Sequence, residues 1–146
     1  MAFGFDRRPR IKFLLAPVLL LIPACGTTSP TVSIDDLALL EAKPKIYVIA
    51  AKQKTEILKV LSTTDLGLVG SLADSDYQLR VTLGMDRGFK DCGTLNNVKY
   101  DLRHNQSTVL LIQGRGWTGN CRPNVFQEMT QKLNETISQH LKGEGA

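Results

Sequence analysis

"DYQLRVTLG", Asp76 to Gly84, decides how this chain folds. Tyr77, Leu79, Val81 and Leu83 alternate with Gln78, Arg80 and Thr82, the period of two that a strand with one buried face requires. The next two segments continue the pattern. In "TLNNVKYDLRHN", Thr94 to Asn105, Val98, Tyr100 and Leu102 alternate with Lys99, Asp101 and Arg103. "STVLLIQGRGW", Ser107 to Trp117, follows after a turn at His104, Asn105 and Gln106. Three strands joined by such short connections form an antiparallel meander.

The meander places two cysteines. If the first strand runs up, Cys92 lies in the loop at its top; the second strand descends to His104, and the third rises through Trp117 to Cys121. Both arrive at the same end, so a Cys92–Cys121 disulfide is expected, closing roughly thirty residues.

"RPNVFQEMTQKLNETISQHLKGEG" follows, with Val125, Met129, Leu133, Ile137 and Leu141 recurring every fourth residue. That stripe predicts a helix lying on the sheet. Pro123 suits its first turn, Asn124 with Gln127 can cap it, and Gly143 ends it. Upstream, "SIDDLALLEAKP", Ser33 to Pro44, reads as a short helix capped by Ser33. Lys45 to Ala51 reads as a strand, "TEILKVLSTT" as a second helix, and Leu66 to Val69 as a short edge strand. The expected fold is therefore α+β: an antiparallel sheet of four to five strands, the meander at its centre, two or three helices on one face, and one disulfide.

"GRGWTG", Gly114 to Gly119, matches the glycine fingerprint of dinucleotide-binding folds. In such folds the third glycine opens the helix that carries the pyrophosphate; here Asn120, Cys121, Arg122 and Pro123 intervene, and no later strand supplies the acidic residue for the ribose. No nucleotide is expected, and the glycines read as the twisted, bulged end of a strand. Other chemistry is equally thin. His104 lies near Asp101 and Ser107, but a tight hairpin offers neither pocket nor oxyanion donors, so it reads as a solvated turn histidine. His140 sits on the last helical turn, where a cation meets the dipole favourably. Asp74 and Asp76 lack the further oxygen ligands of a calcium loop. No metal, no cofactor and no enzymatic activity are expected.

The amino terminus carries a different kind of signal. Arg7, Arg8, Arg10 and Lys12 precede an apolar stretch from Phe13 to Ala24 that is interrupted by Pro17. A charged region followed by twelve apolar residues is too short for a membrane-spanning helix and reads as an export signal. Its removal also removes Asp6, taking the charge count from 18 basic and 14 acidic residues to 14 and 13. The mature chain is nearly neutral, so the pI of about 9.1 does not argue for nucleic acid.

"LIPACG" resembles the lipobox of bacterial lipoproteins through Ile22, Ala24 and Cys25; Pro23 stands where that family usually has alanine, serine, threonine or valine. The resemblance implies cleavage before Cys25, its lipidation and insertion into a bilayer, with Gly26 directing the product to the outer membrane. An acylated Cys25 also leaves Cys92 and Cys121 as an even pair. The expected organisation is a signal peptide over 1–24, a lipidated cysteine and flexible tether over 25–32, and a single periplasmic domain over 33–146. The order of elements is loosely similar to small α+β envelope lipoproteins such as the TolB amino-terminal domain and LptE-like proteins. That similarity implies a non-catalytic binding or assembly accessory of an envelope complex, with a protein partner. The alternative is a small periplasmic inhibitor or hydrophobic-ligand binder. Trp117, the only tryptophan, and the flanking Arg115 and Arg122 are the candidate partner contacts.

Overall fold

The structure, a computed structural model, describes residues 27–89 and 92–144. Residues 1–26, with the expected signal peptide and Cys25, lie outside the described residues. The domain is α+β, with a six-stranded sheet in the order β1-β6-β5-β4-β2-β3 and both helices on one face. The strands are β1 Thr28–Ile34, β2 Lys45–Ala50, β3 Gly67–Leu68, β4 Tyr77–Phe89, β5 Gly93–His104 and β6 Ser107–Trp117; the helices are α1 Lys54–Leu61 and α2 Val125–Glu144.

The meander stands at the centre as expected. Leu79 pairs with Leu102, Val81 with Tyr100 and Leu83 with Val98, all antiparallel, and Tyr100 pairs in turn with Ile112. The β5–β6 turn is two residues, Asn105 and Gln106, with φ of 47° and 68°. Two positive values in succession are those of the primed turn that matches strand twist.

Three expectations fail. The sheet is mixed and has six strands, because β2 runs parallel to β4, with Ile46 beside Tyr77 and Val48 beside Leu79. A parallel pair needs a long crossover, and α1 supplies it. The stretch read as a flexible tether is instead β1, which pairs antiparallel with β6: Thr31 with Gln113, Val32 with Ile112 and Ile34 with Leu110. Its residues are mostly polar because it is an edge strand, exposed on most sides and punctuated by Pro30. The helix expected over 33–44 reduces to one 3-10 turn, Leu37–Leu39. The backbone N–H groups of Asp35 and Asp36 both donate to Val109 O, at 3.1 and 3.2 Å, which prolongs the strand. Beyond the turn, the buried Tyr77 hydroxyl donates to Leu39 O and accepts from the Glu41 N–H at 3.0 Å, holding the segment out of helix.

The core lies between the sheet and the helices. Tyr77, Leu79, Tyr100, Leu102, Leu110 and Ile112 meet Ile57 and Leu61 of α1 and Val125, Phe126, Met129, Leu133 and Ile137 of α2. Burying one such aliphatic or aromatic side chain contributes about 1.5–3 kcal/mol. Asn124 caps α2 through its Oδ1, which accepts from the N–H groups of Phe126 and Gln127 at 3.0 and 3.2 Å. Pro123 lies before the helix, which begins at Val125.

Candidate functional site

The two glycines of the "GRG" stretch show how the sheet's faces are assigned. Within the β5–β6 hairpin they are not at a bulge, since Gly114 stays in register with Val98 and Gly116 with Asn96; the irregularity at this end lies on β1, between Thr28 and Thr31, which pair with Arg115 and Gln113. A Cβ on Gly114 would stand 3.0 Å from Met129 Sδ, and one on Gly116 3.1 Å from Val125 Cβ. Their role is to let α2 seat closely on β6. Arg115 and Trp117, the residues alternating with them, therefore belong to the face that no helix covers.

The cysteines are bridged: Cys92 and Cys121 form a disulfide with a Cα separation of 4.6 Å. Hydrogen bonds reinforce that end of the sheet. The Gly119 N–H donates to Cys92 O at 3.0 Å and the Thr118 N–H to Thr94 O at 3.0 Å. The Thr118 hydroxyl accepts from the Thr94 N–H at 3.2 Å, and the Asn124 amide donates to Gly119 O at 3.0 Å. The loop from Trp117 to the start of α2 is thus tied to β5, to the bridge and to the helix cap.

Of the three candidate contacts, the fold brings two together. Arg115 and Trp117 lie two residues apart on the uncovered face, both half-buried. Arg122 lies beyond the bridge, exposed, with its guanidinium donating to Gln127 Oε1 on α2. Trp117 is set directly across from Leu95, which is only 3% exposed although it lies on the uncovered face. An aromatic across from a buried aliphatic on the same face is a stabilising cross-strand pair, so Trp117 has structural work there.

The uncovered face holds a trough of about 590 Å³, to which Thr82, Gly84, Asn97, Lys99 and Gln113 contribute together with Thr28, Ser29 and Thr31 of β1. A second groove of about 620 Å³ runs between α1 and α2 toward the disulfide loop, lined largely by Thr, Asn and Gln side chains, with Lys59 and Phe126. Sequence reasoning missed the trough. Its signal was the outward set of the meander, Thr82, Lys99 and Gln113, but one wall comes from β1, which had been read as tether.

His104 is not simply a solvated turn residue. Its Nδ1–H donates to Asp76 O at 3.0 Å, the Asn105 amide donates to its Nε2 at 3.1 Å, and its ring packs on Tyr77 at 4.9 Å between centroids. Both ring nitrogens thus pin the hairpin. Asp101 faces elsewhere: it accepts from the Thr108 hydroxyl at 2.9 Å and pairs with Arg103 at 3.7 Å, so no triad is assembled. Desolvation by burial pushes the Tyr100 phenol up to about 12, against the opposing effect of its hydrogen bond with Thr130. Among the described residues, no group of three or more His, Cys, Asp or Glu could hold a metal ion, and no helix is long and apolar enough to cross a membrane.

Comparison with known proteins adds little. No family model matches the chain, and no curated protein matches it. Among solved structures, a methionine variant of the PelC dodecamer from Paraburkholderia phytofirmans is similar at 15% identity and a TM-score of 0.47, covering 79% of this chain and 97% of that one. The PelC dodecamer from the same organism in another crystal form is similar at 14% identity and a TM-score of 0.41, covering 77% and 96%.

Proposed function

We propose that this chain is a lipoprotein of the bacterial envelope, held on the periplasmic face of the outer membrane through acylated Cys25, and that it acts by binding, as a non-catalytic accessory of an envelope complex. The observation that carries this reading is the cysteine pairing. Cys92 and Cys121 are joined, so of the three cysteines only Cys25 remains, and it stands in "IPAC". A stable disulfide suits an oxidising compartment such as the periplasm.

The anchoring is also short. Thr28 pairs with Arg115 and follows Cys25 by three residues, a length of chain that reaches at most about 10 Å. On this reading the end of the sheet bearing Arg115, Trp117 and the disulfide is held toward the bilayer.

Fractionation of cells with detergent-solubilised co-purification tests the reading. The native chain is expected in the outer-membrane fraction with a stoichiometric membrane complex, and Cys25→Ser in the soluble fraction. A native chain that is soluble, or that brings down a soluble enzyme, would favour the inhibitor alternative instead.

A further inference from the structure

We infer that the uncovered face of the sheet is a docking surface for an extended acidic segment of a protein partner, gripped by a ladder of basic side chains. The inference deepens the binding reading above and rests on it. Register gives the ladder. Across β4, β5 and β6, one row of outward positions is Gly84, Asn97 and Arg115; the next is Thr82, Lys99 and Gln113; the next is Arg80, Asp101 and Leu111; the last begins with Gln78 and Arg103. Each row holds one cation: Arg115, Lys99, Arg80 and Arg103 in turn. Among the side chains described on this face the acids are Asp101, engaged by Arg103 and Thr108, and Asp76, beside Gln78 and Arg103 in the last row, so the excess of cations lies in the first three rows.

Spacing selects the occupant. Rows two residues apart are about 6.8 Å apart along the strands, so the four cations span roughly 20 Å and stray no more than one strand, about 4.8 Å, from β5. An extended peptide presents same-side residues at that same pitch. Carboxylates at alternate positions of a partner segment would therefore meet successive cations, and the Gln113 amide and Thr82 hydroxyl beside Lys99 would add hydrogen bonds. The surface is recessed at this place by the trough that Gly84 helps to form. A chain can enter a recess, whereas a bilayer plane cannot. The helical side makes the contrast, because Lys59, Lys132 and Lys142 are mixed there with Glu56, Glu128 and Glu135.

The test uses the detergent-solubilised full-length chain and fluorescein-labelled decapeptides, one alternating glutamate with threonine and one with the same residues as two blocks. The alternating peptide is expected to bind more tightly than the block peptide. Arg80→Glu with Lys99→Glu, both exposed positions, should weaken it by about tenfold or more, while Lys59→Glu with Lys132→Glu on the helical side changes it less than about twofold. Thermal melts establish that both variants fold. Equal losses in the two variants, no preference between the peptides, or no peptide binding would overturn the inference. None of these results bears on Cys25 acylation, so the anchoring reading stands or falls separately.

Discussion

Removing the disulfide by Cys92→Ala with Cys121→Ala should lower stability by an amount that the topology fixes. The bridged residues are 29 apart in sequence, and a ring of that size restricts the unfolded chain by about 12 cal/mol/K, or about 3.6 kcal/mol at room temperature. For a domain of roughly 120 residues the unfolding entropy is about 0.25 kcal/mol/K, so the melting temperature should fall by about 14 °C. The native state should survive, because the Gly119–Cys92 and Thr118–Thr94 backbone hydrogen bonds align the same segments without the sulfur atoms. Scanning calorimetry of the disulfide-bonded protein and the double variant measures the drop, and near-ultraviolet circular dichroism checks that packing persists. A fall under about 3 °C, or a variant without fixed packing, would refute the reasoning. The first would mean that the unfolded chain is not constrained by the ring, the second that the bridge makes the native fold.

Four further outcomes follow from packing and burial. Gly119→Ala should cost about 2–3 kcal/mol in chemical denaturation, because its Cβ would stand 2.6 Å from Cys92 O, a backbone atom that cannot move aside. Gly114→Ala should cost under about 1 kcal/mol, because what it meets is the adaptable Met129 sulfur. Tyr100, its phenol raised to about 12 by burial, is held neutral in the native state while the unfolded chain ionises near pH 10. Stability should therefore be intact below about pH 10 and fall by roughly 1.4 kcal/mol per pH unit up to the folded value. Melting temperatures of Tyr100→Phe that fall as steeply as the native protein's over that range would assign the loss elsewhere. Trp117→Ala, which uncovers Leu95, should cost about 2–3 kcal/mol rather than act only on partner capture, and unchanged urea denaturation would return Trp117 to the role of interface anchor.

What the sequence made legible were the elements with strong periods. Tyr77 to Leu83 and Val98 to Leu102 alternate cleanly because one face is buried, and Val125 to Leu141 repeats every fourth residue because one stripe is buried. The meander and its strand directions then placed Cys92 and Cys121 together. What escaped were elements that tertiary contacts impose on weak patterns. Thr28 to Ile34 is a strand because β6 presents it with an edge, and its polar composition carries no period strong enough to say so. Leu37 to Leu40 is apolar enough for a helix, but Val109 O takes the N–H groups of Asp35 and Asp36 just before it and the Tyr77 hydroxyl takes Leu39 O and the Glu41 N–H. The parallel placement of β2 could have been read from α1, which lies between β2 and β4 as a crossover does. The candidate site was legible only in part, since Arg115 and Trp117 stand out by their loop while the cation ladder needs the register of three strands.

The central claim is that Cys25 is the membrane attachment point. Mass spectrometry of the amino-terminal peptide released from the membrane-extracted native chain tests it directly. The account predicts a mature chain that begins at Cys25, carrying two or three acyl chains, as stable anchoring requires. A chain that still carries residues 1–24, or one that begins elsewhere with an unmodified Cys25 thiol, would contradict it.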